Sequence, residues 1–149
     1  MIGLLQRVSR ASVVVDAQTI AAIERGLVVL VGIEKGDGLR EAARLLERLL
    51  AYRVFPDADG RMNLDVRQAG GSVLLVPQFT LVADTRKGNR PGFSRAAGPA
   101  LGRELFEALV GLGRAAPVPV LAGRFGATMQ VNLSNEGPVT FWLRVPPRG

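Results

Sequence analysis

Histidine and cysteine are both absent from this chain of 149 residues. Their absence excludes a Ser-His-Asp triad, a Cys-His pair, disulfides, and zinc sites built on imidazole or thiolate. No remaining side chain has an ordinary pKa near neutrality. Proton transfer must therefore use a shifted carboxylate or lysine, a backbone group, water, or the substrate itself. No apolar run approaches the roughly 20 residues that cross a bilayer. The opening Met1-Ile2-Gly3-Leu4-Leu5-Gln6-Arg7 lacks the basic start and sustained apolar stretch of a signal peptide. Lack of cysteine fits a cytoplasmic protein. No linker, low-complexity tract or repeat interrupts the chain, so one domain spanning residues 1–149 is expected.

Hydrophobic residues make up 48% and charged residues 21%, ordinary values for a globular chain. This length is enough to bury about 70% of the unfolded surface in one core. The formal net charge is +6, which favours an anionic partner, nucleic acid first, although the arginines are scattered.

Periodicity indicates an α/β protein with a mainly antiparallel or mixed sheet and two principal helices. Leu4–Val8, Ala11–Val15 and Gln18–Ile23 read as short strands divided at Ser9-Arg10 and Asp16-Ala17. The apolar run from Gly26 to Ile33 reads as a strand buried on both faces. A helix follows, capped by Asp37, with leucines and alanines from Leu39 to Leu50 at helical spacing. Phe55–Gly60 turns the chain. Ser72–Leu81 reads as a strand broken at Pro77, and Asp84–Gly92 as an exposed basic loop. Pro99–Leu112 is a second amphipathic helix with proline in its first turn. Alternation at Met129–Leu133 and Val139–Val145 predicts two final strands joined by a hairpin at Asn135-Glu136-Gly137-Pro138.

Three look-alike motifs are structural. Asp57-Ala-Asp59-Gly60 opens like a calcium loop, but Met62 and Gln68 occupy positions that need glycine and glutamate. Gly111-Leu-Gly113-Arg-Ala-Ala116 ends a helix instead of joining a strand to one. Gly92-Phe-Ser94-Arg-Ala96 lacks both the last glycine of a nucleophile elbow and a histidine to activate its serine. Two other segments carry possible chemistry. Pro77-Gln78-Phe79-Thr80-Leu81, running into the basic loop, could set backbone N–H groups and a hydroxyl beside a phosphate-binding surface. Asn135–Thr140 could present rigid Gly-Pro carbonyls, across a cis bond, to a ligand. On pattern alone both read as a strand end, a solvated loop and a turn.

The chain resembles the D-aminoacyl-tRNA deacylases from Met1 to Val145. The resemblance is carried by Gln6–Val13, Gly60-Arg61-Met62-Asn63-Leu64, Gln78-Phe79-Thr80-Leu81, Arg90-Pro91-Gly92-Phe93, Gly123-Arg124-Phe125-Gly126 and Asn135–Thr140, in that order and spacing. It reverses the preference for the bland readings of both segments. It implies a small single-domain α/β sandwich acting as a cytoplasmic homodimer. The activity it implies is hydrolysis of the ester between a D-amino acid, or mischarged glycine, and the 3′-terminal adenosine of tRNA. Gly137 and Pro138 would be cis and would enter the partner's pocket, excluding L side chains by their carbonyls, with Arg7 holding them. Gln78 would line the substrate pocket. Backbone N–H groups around Phe79 and Thr80 would support the carbonyl oxygen while the ribose 2′-hydroxyl assists water. Thr80 has no base to activate it as a nucleophile.

One departure is Pro77, where the family usually has serine. An animal paralogue shares that proline but follows it with alanine where this chain has Phe79, and it lacks the arginine matched by Arg7. Pro77 thus puts pocket hydrogen bonding in question, not the reaction class. Arg86, Lys87 and Arg90 are the candidate phosphate contacts, and Phe79 and Phe93 the candidate stacking platforms for an acceptor end. No metal or cofactor is expected. The alternatives are a catalytically silent tRNA-binding module of the same fold, its reaction lost through Pro77, and a dimeric scaffold without RNA affinity.

Overall fold

A computed structural model describes residues 1–148. Its organising element is a long strand, β1 (Ile2–Val15), hydrogen-bonded along both edges. On one edge Ile2–Val8 pairs antiparallel with β3 (Gly26–Gly32), and Ala11–Val15 pairs antiparallel with β2 (Gln18–Ile23). The other edge pairs with a second long strand, β8 (Gln130–Arg144). The expected break at Ser9-Arg10 does not occur. Partners on both sides of it keep the backbone extended, and only the two side chains turn to solvent. Asp16-Ala17 does reverse the chain, with φ of 49° and 62°, the left-handed pair that a two-residue hairpin between twisted strands requires.

Beyond β3 the sheet becomes parallel. β3 pairs with β6 (Ser72–Pro77), and β6 with β7 (Val120–Ala122). Each parallel step is bridged by a helix, α1 (Leu39–Ala51) and α2 (Pro99–Arg114), as crossovers require. The result is the expected α/β fold with a mixed sheet and two helices. Period-two alternation divides its apolar residues between two cores. Leu27, Val29, Val73 and Leu75 meet Leu45, Leu49, Leu105 and Leu109 of the helices. Val28, Leu74 and Val76 point the other way, into the curl of the sheet, against Val8, Val13 and Ile23. That double burial explains why β3 and β6 are uninterrupted apolar runs.

Four local expectations are corrected. Asp37 does not cap α1; Gly38 occupies that position and its N–H donates to Glu41 Oε2 at 2.8 Å. Asp37 instead accepts from the Met1 ammonium at 2.8 Å and from the Glu34 N–H at 2.7 Å. The strand from Ser72 stops at Pro77, and Phe79–Val82 is a 3₁₀ turn. Residues 55–64 form more than a turn, a small hairpin of β4 (Phe55–Pro56) and β5 (Met62–Leu64). Its tip is closed by Asp57 Oδ1, which accepts the N–H groups of Asp59 and Arg61 at 2.8 and 3.0 Å.

The fourth correction concerns the end of the chain. Residues 135–138 are not a hairpin, because the segments on either side run antiparallel to β1 in the same direction. Gln6 faces Thr140 and Val8 faces Asn135. Two steps along β1 therefore correspond to five along β8, and residues 136–139, four against the single Arg7, are pushed out as a large bulge.

Candidate active site

Gln78 is held at the end of β6 by its N–H, which donates to Val31 O at 2.8 Å. The 3₁₀ turn that follows lies against Gly32 of β3, where a Cβ would come within 2.8 Å of Val82 Cγ2 and 3.1 Å of Leu81 Cβ. Only glycine allows this approach. The turn leaves Phe79 63% exposed and Thr80 also exposed. Its first N–H groups have no helical acceptor, and neither the Phe79 nor the Thr80 N–H has a backbone or side-chain acceptor among the described residues.

Beside the turn lies an open, largely apolar hollow of about 750 Å³, lined by Pro77, Gln78, Phe79, Phe93, Phe125 and Met129 among others. The Phe79 and Phe93 rings stand 5.3 Å apart at 43° and form one wall. Thr80 is not part of the lining; its Oγ1 accepts from Gln78 Nε2. Among the described residues no carboxylate or lysine lines the hollow either, so none of their side chains there is a general base of the usual kind. Phe125, Ala127 and Met129, from the segment between β7 and β8, and Val131 at the start of β8 also line the hollow, a site role that the sequence pattern did not assign them. The motif Gly123–Gly126 was the signal that could have found them.

The β8 bulge is a second constellation. Arg7 of β1 reaches it with its Nε donating to Glu136 O at 3.1 Å, while Nη1 donates to Val54 O at 2.7 Å. Asn135 braces the other side, its Oδ1 accepting the Val139 N–H at 2.9 Å and its Nδ2 donating to Thr140 Oγ1 at 2.8 Å. Gly137 has φ +129°, and a Cβ on it would lie 2.8 Å from Val139 Cγ2 and 3.2 Å from Arg7 Nη2. The Gly137–Pro138 peptide is cis, and both residues are exposed. Neither lines the hollow, so a single chain does not bring Gly137 and Pro138 to Gln78 and Phe79.

The basic loop is pinched at its base by paired hydrogen bonds between Asp84 and Gly92, 2.7 and 2.9 Å long. Arg86 is spent on Asp84, Nε to Oδ1 at 2.9 Å and Nη2 to Oδ2 at 2.7 Å. These bonds hold the Asp84 carboxyl far below the usual carboxylate range. Lys87 and Arg90 are exposed and form no ion pair among the described residues. Nor do the described residues contain a cluster of acidic side chains that could hold a metal.

Comparisons with known proteins bear on the family and the fold. The family model described as D-Tyr-tRNA(Tyr) deacylase matches residues 4–144. A D-aminoacyl-tRNA deacylase of Thioalkalivibrio sulfidiphilus (strain HL-EbGR7) is 58% identical over 147 residues, 99% of each chain. A solved structure named c-Myc DNA unwinding element binding protein superposes with a TM-score of 0.93 at 37% identity, covering 98% of this chain and 99% of that one. The fold is also that of a structure described as a probable eukaryotic D-amino acid tRNA deacylase, with a TM-score of 0.81 at 16% identity over 95% and 97% of the two chains. A match over nearly the whole length at such identity leaves one assignment: the chain belongs to the D-Tyr-tRNA(Tyr) deacylase family.

Proposed function

We propose that this chain is an enzyme that hydrolyses the ester of D-aminoacyl-tRNA, and of glycine mischarged on tRNA(Ala), releasing free amino acid and tRNA. The observation that carries the reading is the pair of unpartnered N–H groups at Phe79 and Thr80, set beside an apolar hollow that has no side-chain base. Water adds to the ester carbonyl, its proton passing by way of the ribose 2′-hydroxyl. The bond from the carbonyl carbon to the 3′-oxygen then breaks, and that oxygen takes up the proton. The two N–H groups receive the carbonyl oxygen as it gains charge. One such donor is worth about 3 kcal/mol in other acyl-transfer sites, enough to carry much of the rate without a nucleophilic side chain.

Chirality is enforced across a homodimer, with Gly137 and Pro138 of one chain closing the hollow of the other. Supporting this are the outward bulge, its bracing by Arg7 and Asn135, and its absence from the hollow of its own chain. Gln78 orients the substrate. Lys87 and Arg90 contact phosphates, and Arg86 does so only by giving up Asp84. Residues 1–149 act as one domain, in the cytoplasm where aminoacyl-tRNA is found.

The test is deacylation of matched D-tyrosyl-, L-tyrosyl- and glycyl-tRNA, with sedimentation to establish the dimer. Fast loss of the D and glycyl esters with the L ester spared is the expected result. Variants Gly137→Ala and Pro138→Ala should narrow the ratio of D to L hydrolysis. Thr80→Ala should stay within about threefold of the parent, whereas a loss of about a hundredfold in a folded dimer would restore a nucleophilic threonine. Hydrolysis of none of the esters, with tRNA still bound, would favour the silent module. Its signature is activity gained on Pro77→Ser.

A further inference from the structure

Phe125 separates two depressions. It lines both the hollow and an open groove between α2 and the segment around Arg124. Arg103, Arg114 and Arg124 all line that groove, and all three are exposed. Arg103 and Arg114 lie eleven residues apart on α2, close to three full turns, so they share one stripe about 16 Å long. Arg124 faces them from the strand side. Among the described residues the one acidic side chain lining the groove is Glu107, whose Oε1 lies 3.8 Å from Arg103 Nη1, too far for a strong hydrogen bond. Arg114 and Arg124 form no ion pair among the described residues.

Arg103 stands where the two depressions meet. Its guanidinium carbon is 5.2 Å from the Phe125 ring centre, and its Nη2 lies so close to Gly126 that a Cβ there would be 3.3 Å away. A polyanion leaving the hollow over Phe125 would pass this cation first and the other two next. The aromatic rim with a cationic track behind it is how proteins hold single-stranded nucleic acid, bases on rings and phosphates on arginines. By contrast, Arg86 in the 84–92 loop is already neutralised by Asp84.

We propose that the Arg103–Arg114–Arg124 groove binds the backbone phosphates of the single-stranded RNA end whose terminal nucleoside occupies the hollow. The identity of the polyanion rests on the tRNA-ester reading above; the groove itself rests on the three arginines and their junction at Phe125. The groove sets the direction in which the RNA leaves the site, along α2 instead of across the 84–92 loop.

The test is binding of uncharged tRNA as a function of salt. It compares the parent with Arg103→Gln/Arg114→Gln/Arg124→Gln and with a charge-matched Arg10→Gln/Arg44→Gln/Arg61→Gln, which changes exposed arginines elsewhere. Losing three phosphate contacts on a single strand should lower the slope of log K against log salt by roughly 2. Affinity near physiological salt should fall by at least about tenfold, while the charge-matched variant changes the slope by less than about 0.5. Lysine at the same three positions should restore most of the slope, which excludes misfolding as the cause. Equal losses in both triple variants, or none in either, would overturn the groove. If the parent hydrolyses D-tyrosyl-tRNA but the groove variant binds tRNA as the parent does, the groove fails and the deacylase reading stands. Binding that depends on the three arginines, without hydrolysis of any ester, has the opposite meaning.

Discussion

Arg7 leaves only 12% of its side chain exposed and places its donors on two carbonyls from distant parts of the chain, Val54 O and Glu136 O. A charged donor on a backbone acceptor is worth about 1.5–3 kcal/mol, and removing it strands the acceptors. Arg7→Ala should therefore lower stability by about 2 kcal/mol in urea titration, and it should narrow the ratio of D to L ester hydrolysis by freeing the bulge. Arg7→Lys should recover little of either, because an ammonium cannot span both carbonyls as the planar guanidinium does. A variant with full stability and selectivity would remove Arg7 from the bulge. At this scale the sequence was informative where chemistry is local. Pro77 marked the end of β6, Gly137-Pro138 marked an unusual backbone, and the lack of histidine removed the familiar hydrolytic machinery. It did not disclose that Arg86 is neutralised by Asp84, since two residues of separation in a loop do not fix which way either side chain turns.

The elements show why periodicity reads interiors better than ends. Both helices and the doubly buried β3 were legible because many residues repeat one signal. The hairpin expected at residues 135–138 was wrong because glycine and proline serve a bulge as well as a turn; only the register against β1 distinguishes them. Likewise β7, three residues long, is too short for alternation to register. The hairpin between β1 and β2 offers a direct check. Ala17 sits at φ 62°, where a Cβ costs about 1–2 kcal/mol and glycine's extra unfolded-state entropy offsets about half of that. Ala17→Gly should thus stabilise the protein by about 0.5–1 kcal/mol, giving the Asp-Gly pair favoured in such turns. Chemical denaturation with an unchanged m-value would establish it; a loss of stability would mean that the turn conformation is wrong.

For the whole molecule, the buried carboxylates Glu34, Asp37, Glu41 and Asp65 predict the response to acid. Burial pushes Glu34 up, but bonds from Arg144 and the Met1 ammonium outweigh it, and its pKa lies below the ordinary value. Burial likewise acts on Asp65 and Glu41, and is outweighed by Arg67 and the Gln68 N–H in one case and by the Gly38 N–H and Arg40 in the other. A carboxylate whose folded pKa is depressed contributes stability above its unfolded value and loses it as pH falls through the folded one. Asp37, raised chiefly by burial, has the opposite sign and offsets part of the loss at the upper end of the window. With three groups against one, Tm should fall between about pH 5 and pH 3. Glu34→Gln should flatten that fall. A level Tm across the interval would contradict the assignment.

The sequence by itself determined the α/β class, the two helices, the strand buried on both faces, the basic charge and the family resemblance. Each is either a sum over many residues or a pattern repeated along one segment, and such signals survive without coordinates. Tertiary structure decided what depends on residues far apart in the chain meeting at one place. The Arg7 clamp joins positions 7, 54 and 136; the hollow joins 77–79 to 93 and 125–131; the arginine groove joins one helix stripe to a residue beyond the next strand. Packing and register create these contacts, and neither is written in the local spacing of residues.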